Sequence, residues 1–358
     1  MIPDSVSPFT RSIIVTYQGD AGIVGEEANI GCCFYVFCTK EMRREQRLHL
    51  AVINLSGAGK TTLVENVLKP FRERAKGEII DVVRVTGPAL ERYKEGMDGK
   101  ILLLSQSVGN EPTSMIPLLS EGKLGLMVVE QAEDGHKKES TILEVKGMPV
   151  FVTTSTDPNI DPELLRRVIQ RTVDESEEQT RKIKELQAMQ ASSIRLPSLT
   201  KFRLIETILE RLKDARPGST IDQVLVPYAK MLEEKLPDDL EIRSKFPQFL
   251  KLIQAIALVK AVCYRGIFIV GIEKPIKQGI NVVIAGLGDF YDALFLAGAS
   301  FFRLIPATAS AILEYLRGDH QERSAGGARL SKMHYQGDSK EAKASQFNDS
   351  QIRRVPSG

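Results

Sequence analysis

Apolar positions along this chain fall into short, nearly continuous runs in its first half and into helical spacing in its second. The compact runs are AVINL at the start of Ala51–Val67, EIIDVVRVT (Glu78–Thr86), KILLLSQ (Lys100–Gln106) and MPVFVTTST (Met148–Thr156). Continuous runs of this length fill strands that are buried on both faces. Helical stretches alternate with them, so residues 46–190 are expected to form an α/β core with a parallel, doubly wound sheet.

The flanks carry other patterns. RSIIVTY and CCFYVFC, separated by a polar loop-like segment, predict a small β-rich unit over residues 1–45. In EMRREQRLHL the residues Arg43, Arg44 and Arg47 read as a solvated helix face. Between KILLLSQ and MPVFVTTST, the segment SMIPLLSEGKL predicts a helix ending near Gly122. LGLMVVEQAEDGHKKESTILEV then predicts a β-hairpin whose polar tip is Glu133–Glu139. After ELLRR, the pairs Glu177/Arg181 and Glu178/Lys182 at i,i+4 spacing predict an exposed helix. Met189–Pro197 reads as a linker.

Helical periodicity dominates residues 191–300, through FRLIETILERLKDA, IDQVLVPYAKMLEEKL and PQFLKLIQAIALVKAVCYR, with β-like GIFIVGI and NVVIAG and a helix-like DFYDALFLAGASFF behind them. This predicts a mainly helical lid domain. A C-terminal helix is expected at 301–317, and a polar, disordered tail at 318–358.

Composition changes little in this picture. The chain has 358 residues, 42% apolar and 26% charged, with a net charge of +2, so any basic surface is local. Its length is enough for more than one domain. The four cysteines lack the paired spacing of a zinc site, and three of them lie in GCCFYVFC. They read as small buried apolar residues of a reducing, intracellular compartment. Neither a signal peptide nor a run of about 18 apolar residues is evident, so no membrane partner is expected.

Candidate chemistry concentrates in SGAGKTT, which joins a strand-like run to a helix-like one. Gly57 and Gly59 allow a backbone that aims successive N–H groups at an anion. Lys60 brings a flexible point charge for the outer phosphates, Thr61 a hydroxyl for Mg²⁺, and the following helix its positive end. Asn54, Ser56, Gly57, Ala58, Gly59, Lys60, Thr61 and Thr62 are therefore expected to bind a nucleotide. The pattern GxxxxGK[ST] has Gly where this chain has Asn54, a residue able to tolerate a left-handed conformation.

The order of parts, a phosphate loop, a hairpin inserted before a strand ending in TTST, then ELLRR, DESEEQT and a helical lid, resembles the AAA+ ATPases of the pre-sensor-1 hairpin group. It is similar above all to the minichromosome-maintenance helicases and the helicase-like ATPases of archaeal and mobile-element replication proteins. The likeness runs from about Leu48 to Arg317. It implies ATP and Mg²⁺ as cofactors, assembly with copies of itself into a ring, DNA as a partner, and a motor role in replication. A non-motor, ATP-binding switch is the alternative.

By the same resemblance, Thr154, flanked by Thr153 and Ser155, is the first sensor, and Arg167 is an arginine finger for the neighbouring subunit, with Arg166 as its alternative. Arg243 is the second sensor of the lid, with Lys245 competing. Lys137 and Lys138 at the hairpin tip face DNA. Where such ATPases end the second core strand in adjacent acids, this chain has Ser105 and Gln106. Ser can sit in a metal's water shell, whereas Gln cannot take a proton. Glu130 and Glu111 are rival carboxylates.

Overall fold

The computed structural model describes residues 2–74, 77–86, 89–90, 92–93, 95–105, 115–131, 138–157, 160–192, 201–215, 223–265, 267–272, 278–301 and 352–355. At its centre is a five-stranded parallel sheet in the order β2-β3-β6-β1-β7. Its strands are β1 (Leu50–Ile53), β2 (Ile79–Val82), β3 (Ile101–Leu104), β6 (Val150–Ser155) and β7 (Ile169–Arg171). The α/β class expected from the continuous apolar runs is the one observed.

Both faces of this sheet are covered, which is why its strands read as unbroken apolar runs. Leu50, Val52, Ile101, Leu103, Val150 and Val152 enter one core, while Ala51, Leu102, Leu104 and Phe151 enter a second on the opposite face. β7 escaped the sequence reading because IQR is short and half polar. Its register, Leu50↔Ile169 to Val52↔Arg171, is set by pairing with β1 rather than by its own pattern.

The N-terminal expectation is overturned. Residues 1–45 hold no described strand; they form α1 (Pro8–Ala21) and α2 (Glu27–Cys38). The Ser7 side chain caps α1 by accepting from the Thr10 backbone N–H, Pro8 opens it, and Gly22 ends it at φ 68°. Every residue of α2 from Asn29 to Cys38 is buried. A helix buried all round shows no periodicity, so its short apolar run cannot be told from a strand. The Tyr17, Phe34, Phe37 and Phe71 rings pack in a chain with centroids 5.6 to 6.1 Å apart. These contacts seat α1 and α2 on α3 (Lys60–Arg74).

Arg44–Gln46 is one 3₁₀ turn rather than a helix face, and Arg47 is 6% exposed, bonded to Asp98 at 2.6 Å and to the Met148 carbonyl. The arginine is held by long-range partners that no local pattern announces.

α4 (Ile116–Glu121) ends at Gly122 with φ 67°. The hairpin follows as β4 (Lys123–Gln131) and β5 (Lys138–Lys146), paired antiparallel from Lys123↔Lys146 to Gln131↔Lys138. Its tip, with Lys137, lies outside the described residues. A single turn, α5 (Pro162–Leu165), precedes β7, and α6 (Glu177–Ser192) is mostly exposed, with Gln179 buried and Leu186 and Gln190 half-buried. The predicted Glu178–Lys182 pair closes at 2.6 Å.

The later helices are α7 (Arg203–Asp214), α8 (Ala229–Glu233), α9 (Leu240–Lys260) and α10 (Leu287–Phe301). With β8 (Gln223–Leu225), β9 (Ile267–Ile272) and β10 (Gln278–Ile284) come four residues of the C-terminal tail, β11 (Ile352–Val355), in a second sheet of order β11-β9-β10-β8. For those four residues the expectation of disorder is corrected by pairing with β9; the rest of 302–358 lies outside the described residues. The helical stretch Leu240–Tyr264 is long and apolar enough to cross a membrane, and 61% of its most apolar window is buried within the protein.

α2, α9 and α10 share one core with α1, α3 and a face of the sheet. At its heart Lys260, without exposed surface, pairs with the equally buried Asp289 at 2.9 Å and Asp292 at 2.6 Å. Asp292 also accepts from the Ser7 N–H at 2.8 Å, the Ser7 hydroxyl at 2.6 Å and the Thr10 hydroxyl at 2.5 Å. The start of α1 is thereby tied to α9 and α10. Cys32, Cys33 and Cys38 are buried, Cys263 is half-buried, all four are free, and burial pushes the Cys32 and Cys263 thiols up to about 11.

Candidate functional site

In an open parallel sheet, ligands settle outside the carboxyl ends of the strands where the strand order reverses. That point here is β1, with β6 on one side and β7 on the other. The turn leaving β1 is SGAGKTT, and it opens directly into the 15-residue α3. Gly57 and Gly59 adopt φ of 81° and 88°, and a Cβ added at either would meet no atom within 4 Å, so backbone conformation rather than space requires glycine.

Lys60 is buried, and its Nζ donates to the Asn54 carbonyl at 2.8 Å and the Leu55 carbonyl at 2.5 Å. Burial lowers its pKa from the usual lysine value, and the nearby charge of Glu175 opposes that shift. Glu175 was not singled out by the sequence reading, since DESEEQT reads as a solvated helix start.

Asn54 does not use the left-handed conformation it is able to tolerate: positive φ among described non-glycine residues occurs only at Glu26 and Phe202. Its side chain instead donates to the Val173 carbonyl at 2.8 Å and accepts from the Leu55 N–H at 2.9 Å. The turn is thus pinned to the segment that follows β7.

A cleft of about 480 Å³ opens over this turn, lined by Ser56, Gly57, Gly59, Lys60, Thr61, Thr62, Ser105, Thr154, Ser155 and Thr156. Ser105 and Thr154 come from the ends of β3 and β6. The Thr154 hydroxyl donates to the Ser105 carbonyl at 2.5 Å, which commits its proton and leaves it only lone pairs to offer. Among the described residues, no carboxylate lines this cleft. Gln106 and Glu111 lie outside the described residues, and Glu130 sits on β4 opposite Glu139, within the hairpin. Asp81 of β2 is the acid near the end of β3, its Oδ1 facing the Ser105 hydroxyl at 3.4 Å.

Arg166, Arg167 and Arg243 are not at this cleft. They line a second one, about 430 Å³, with Arg44, Arg47 and Lys251. Arg47, His49, Met148 and Arg167 precede β1, β6 and β7 in the chain, so this basic cleft lies at the amino ends of the strands, the opposite edge of the sheet. Arg243, expected as the second sensor of the lid, is carried by α9 to the arginine cleft. Lys245, its competitor, is buried and donates to the Leu165 carbonyl at 3.1 Å and the Val168 carbonyl at 3.3 Å, fastening α9 to the turn before β7.

Arg167 is held by Ser120 at 2.6 Å and by Glu163, whose carbonyl and carboxylate accept at 2.8 and 3.0 Å. Arg166, Arg243 and Lys251 side chains make no hydrogen bond or ion pair among the described residues. His49, buried beneath them, accepts the Phe151 N–H on Nδ1 at 3.1 Å, and burial first, then the charges of Lys251, Arg47 and Arg167, bring its pKa down to about 3. Two buried atoms at this cleft, Arg47 Nε and Gln248 Oε1, have no hydrogen-bond partner among the described residues.

No protein-family model matches this sequence, and no curated protein matches it. Among solved structures, the chain is similar to a full-length MCM homolog from Methanopyrus kandleri, at 12% identity and a TM-score of 0.42, over 85% of this chain and 62% of that one. It is also similar to the C-terminal region of NrS-1, at 12% identity and a TM-score of 0.28, over 78% of this chain and 79% of that one. The chain thus spans under two thirds of the length of the MCM homolog. At this similarity neither structure decides what the chain does.

Proposed function

We propose that the chain binds ATP with Mg²⁺ on the turn before α3, as an AAA+ ATPase that assembles with copies of itself and acts on DNA in replication. The observation carrying this reading is the turn itself: two left-handed glycines, a lysine ammonium held beneath the backbone, and a helix start, all at the switch point of a parallel sheet.

The residues at the cleft fit the cation. Thr61 is exposed at the start of α3 and Ser105 ends β3, hard oxygen donors of the kind Mg²⁺ takes together with phosphate oxygens and water. Mg²⁺ bound with the nucleotide supplies charge neutralisation at the phosphates. Lys60 adds a point charge at the same end, and the left-handed Gly57 and Gly59 suit a turn that would aim N–H groups at the anion. Thr154, its proton committed, accepts a hydrogen bond from water and so orients that water's lone pair outward.

With the arginines at the opposite edge of the sheet, the cation cluster of one copy is available to the nucleotide of the next, and a shared site accounts for the separation of Lys60 from Arg167. Lys137 and Lys138 at the hairpin tip are the DNA contacts in this reading.

Ser105 and Gln106 in place of adjacent acids favour a second reading, a nucleotide-dependent switch with slow turnover. ATP hydrolysis by the wild type, Lys60→Ala, Arg167→Ala and Gln106→Glu, with and without single-stranded DNA, separates the two. A motor shows DNA-stimulated turnover that falls with salt. In it both single variants are inactive, and mixing Lys60→Ala with Arg167→Ala restores part of the rate, because each supplies the half the other lacks. Turnover that DNA leaves unchanged, with a rise in Gln106→Glu, identifies the switch. A wild type that binds ATP no better than Lys60→Ala overturns both.

A further inference from the structure

The end of β3 presents Ser105 to the cleft, and Ser105 carries no charge. Among the described residues, the acid that its hydroxyl reaches is on the neighbouring strand. Pairing of β2 with β3 places Asp81 against Leu103 and Val82 against Leu104, and the Ser105 N–H donates to the Val82 carbonyl at 3.1 Å. This carries the ladder one residue past β3 and brings the Ser105 hydroxyl to 3.4 Å from Asp81 Oδ1. The other carboxylate oxygen accepts from Arg72 at 2.7 Å, and Arg72 also reaches both oxygens of Glu65 at 2.9 and 3.1 Å on α3. Asp81 thus has one oxygen on the arginine and the other toward the serine.

We infer that Asp81 supplies, through Ser105, the negative charge that the end of β3 lacks; this rests on the nucleotide-binding reading above. A serine hydroxyl donating to a carboxylate has only lone pairs left for the cleft, and the carboxylate raises the electron density on them. Ser105 then accepts from water in the shell of the nucleotide's Mg²⁺, and Thr154 beside it, its own proton on the Ser105 carbonyl, does the same for a neighbouring water. The 3.4 Å contact is long for a hydroxyl donor, and such contacts tighten as a catalytic complex assembles. Asp81 touches neither nucleotide nor metal and is a positioning residue. A device of this kind suits a site that holds Mg²⁺–nucleotide firmly and hydrolyses it slowly, since a carboxylate behind a serine orders water without facing the reacting phosphate.

Asp81 could instead only clamp β2 to α3 through Arg72, and the two roles predict different variants. The readout is the Mg²⁺ concentration giving half-maximal thermal stabilisation of the full chain by a non-hydrolysable ATP analogue, with Mn²⁺ in place of Mg²⁺ for direct detection by electron paramagnetic resonance. Asp81→Asn and Ser105→Ala are each expected to raise that concentration about tenfold, the lower end of what loss of an outer-shell partner does to metal affinity. The double variant should be no worse than Ser105→Ala alone, because Asp81 acts through the serine. Analogue binding without metal should be unchanged or tighter in Asp81→Asn, which removes a like charge. Arg72→Met, which breaks the clamp and leaves the carboxylate, should keep the wild-type metal dependence.

An unchanged metal dependence in Asp81→Asn overturns the inference, as does a matching shift in Arg72→Met, which identifies a purely structural clamp. If the wild type fails to bind the analogue above Lys60→Ala, the nucleotide reading itself falls. That failure is visible without any Asp81 variant.

Discussion

Asn54 donates its side-chain amide to the Val173 carbonyl at 2.8 Å, joining the Gly-rich turn to the segment leaving β7. The residue that breaks the motif's pattern is thus a brace. Asn54→Gly completes the sequence pattern but removes this bond and the one from the Leu55 N–H. It is expected to cost about 1 to 2 kcal/mol of stability and to weaken nucleotide binding. Thermal melts and calorimetric titration with ATP check both; tighter binding in Asn54→Gly would show that the brace is incidental.

Glu175 places negative charge near Lys60. Because that charge also opposes an incoming triphosphate, Glu175→Gln is expected to tighten ATP several-fold, with the gain shrinking as salt rises. Titrations at low and high ionic strength measure it. A loss of affinity would mean that Glu175 contacts the ligand through a favourable partner instead.

His49 titrates at about 3 in the fold against 6.5 when free, so it is neutral in the native protein at every pH above about 3. Below pH 6.5 the unfolded chain takes up a proton that the native state refuses. Its contribution is present above pH 6.5 and is lost as pH falls from there to about 3. The loss is on the order of 5 kcal/mol at full extent. Comparing melting temperature against pH for the wild type and His49→Gln tests this: the variant's curve should be flatter between pH 3 and 6.5, and parallel curves would exclude the histidine as the source.

Lys260, Asp289 and Asp292 form a buried charge group on which Ser7 and Thr10 also converge. Removing the cation strands two carboxylates away from water, so Lys260→Met is expected to destabilise the protein by about 3 to 5 kcal/mol. Adding Asp289→Asn to Lys260→Met should recover part of the loss, because one of the two carboxylate charges is then no longer stranded. Chemical denaturation of the two variants compares them, and a mild single variant would indicate that water or protonation relieves the carboxylates.

Much of the α/β core was legible because a sheet covered on both faces leaves continuous apolar runs, and the hairpin was legible from two strand-like runs around a polar tip. Where burial was complete on a helix the same code failed: CCFYVFC lies in α2, and a run buried on every side carries no period, while RSIIVTY is a short apolar run in α1 whose buried Ile13, Ile14 and Tyr17 are too few to separate helix from strand. IQR, the strand β7, is too short to have a pattern of its own. Arg47 looked like a surface charge because its partners, Asp98 and the Met148 carbonyl, are distant in the chain.

The sequence by itself determined the local chemistry of SGAGKTT, because backbone freedom at Gly57 and Gly59 and the charge of Lys60 belong to neighbours along the chain. Tertiary structure alone decided which side chains meet there. Parallel pairing brings Thr154, Ser105 and Asp81 together at the carboxyl ends of their strands, and the same pairing, with α9, gathers Arg166, Arg167 and Arg243 at the opposite edge. Strand register and helix docking arise from contacts between residues far apart in sequence, and no spacing along the chain encodes them.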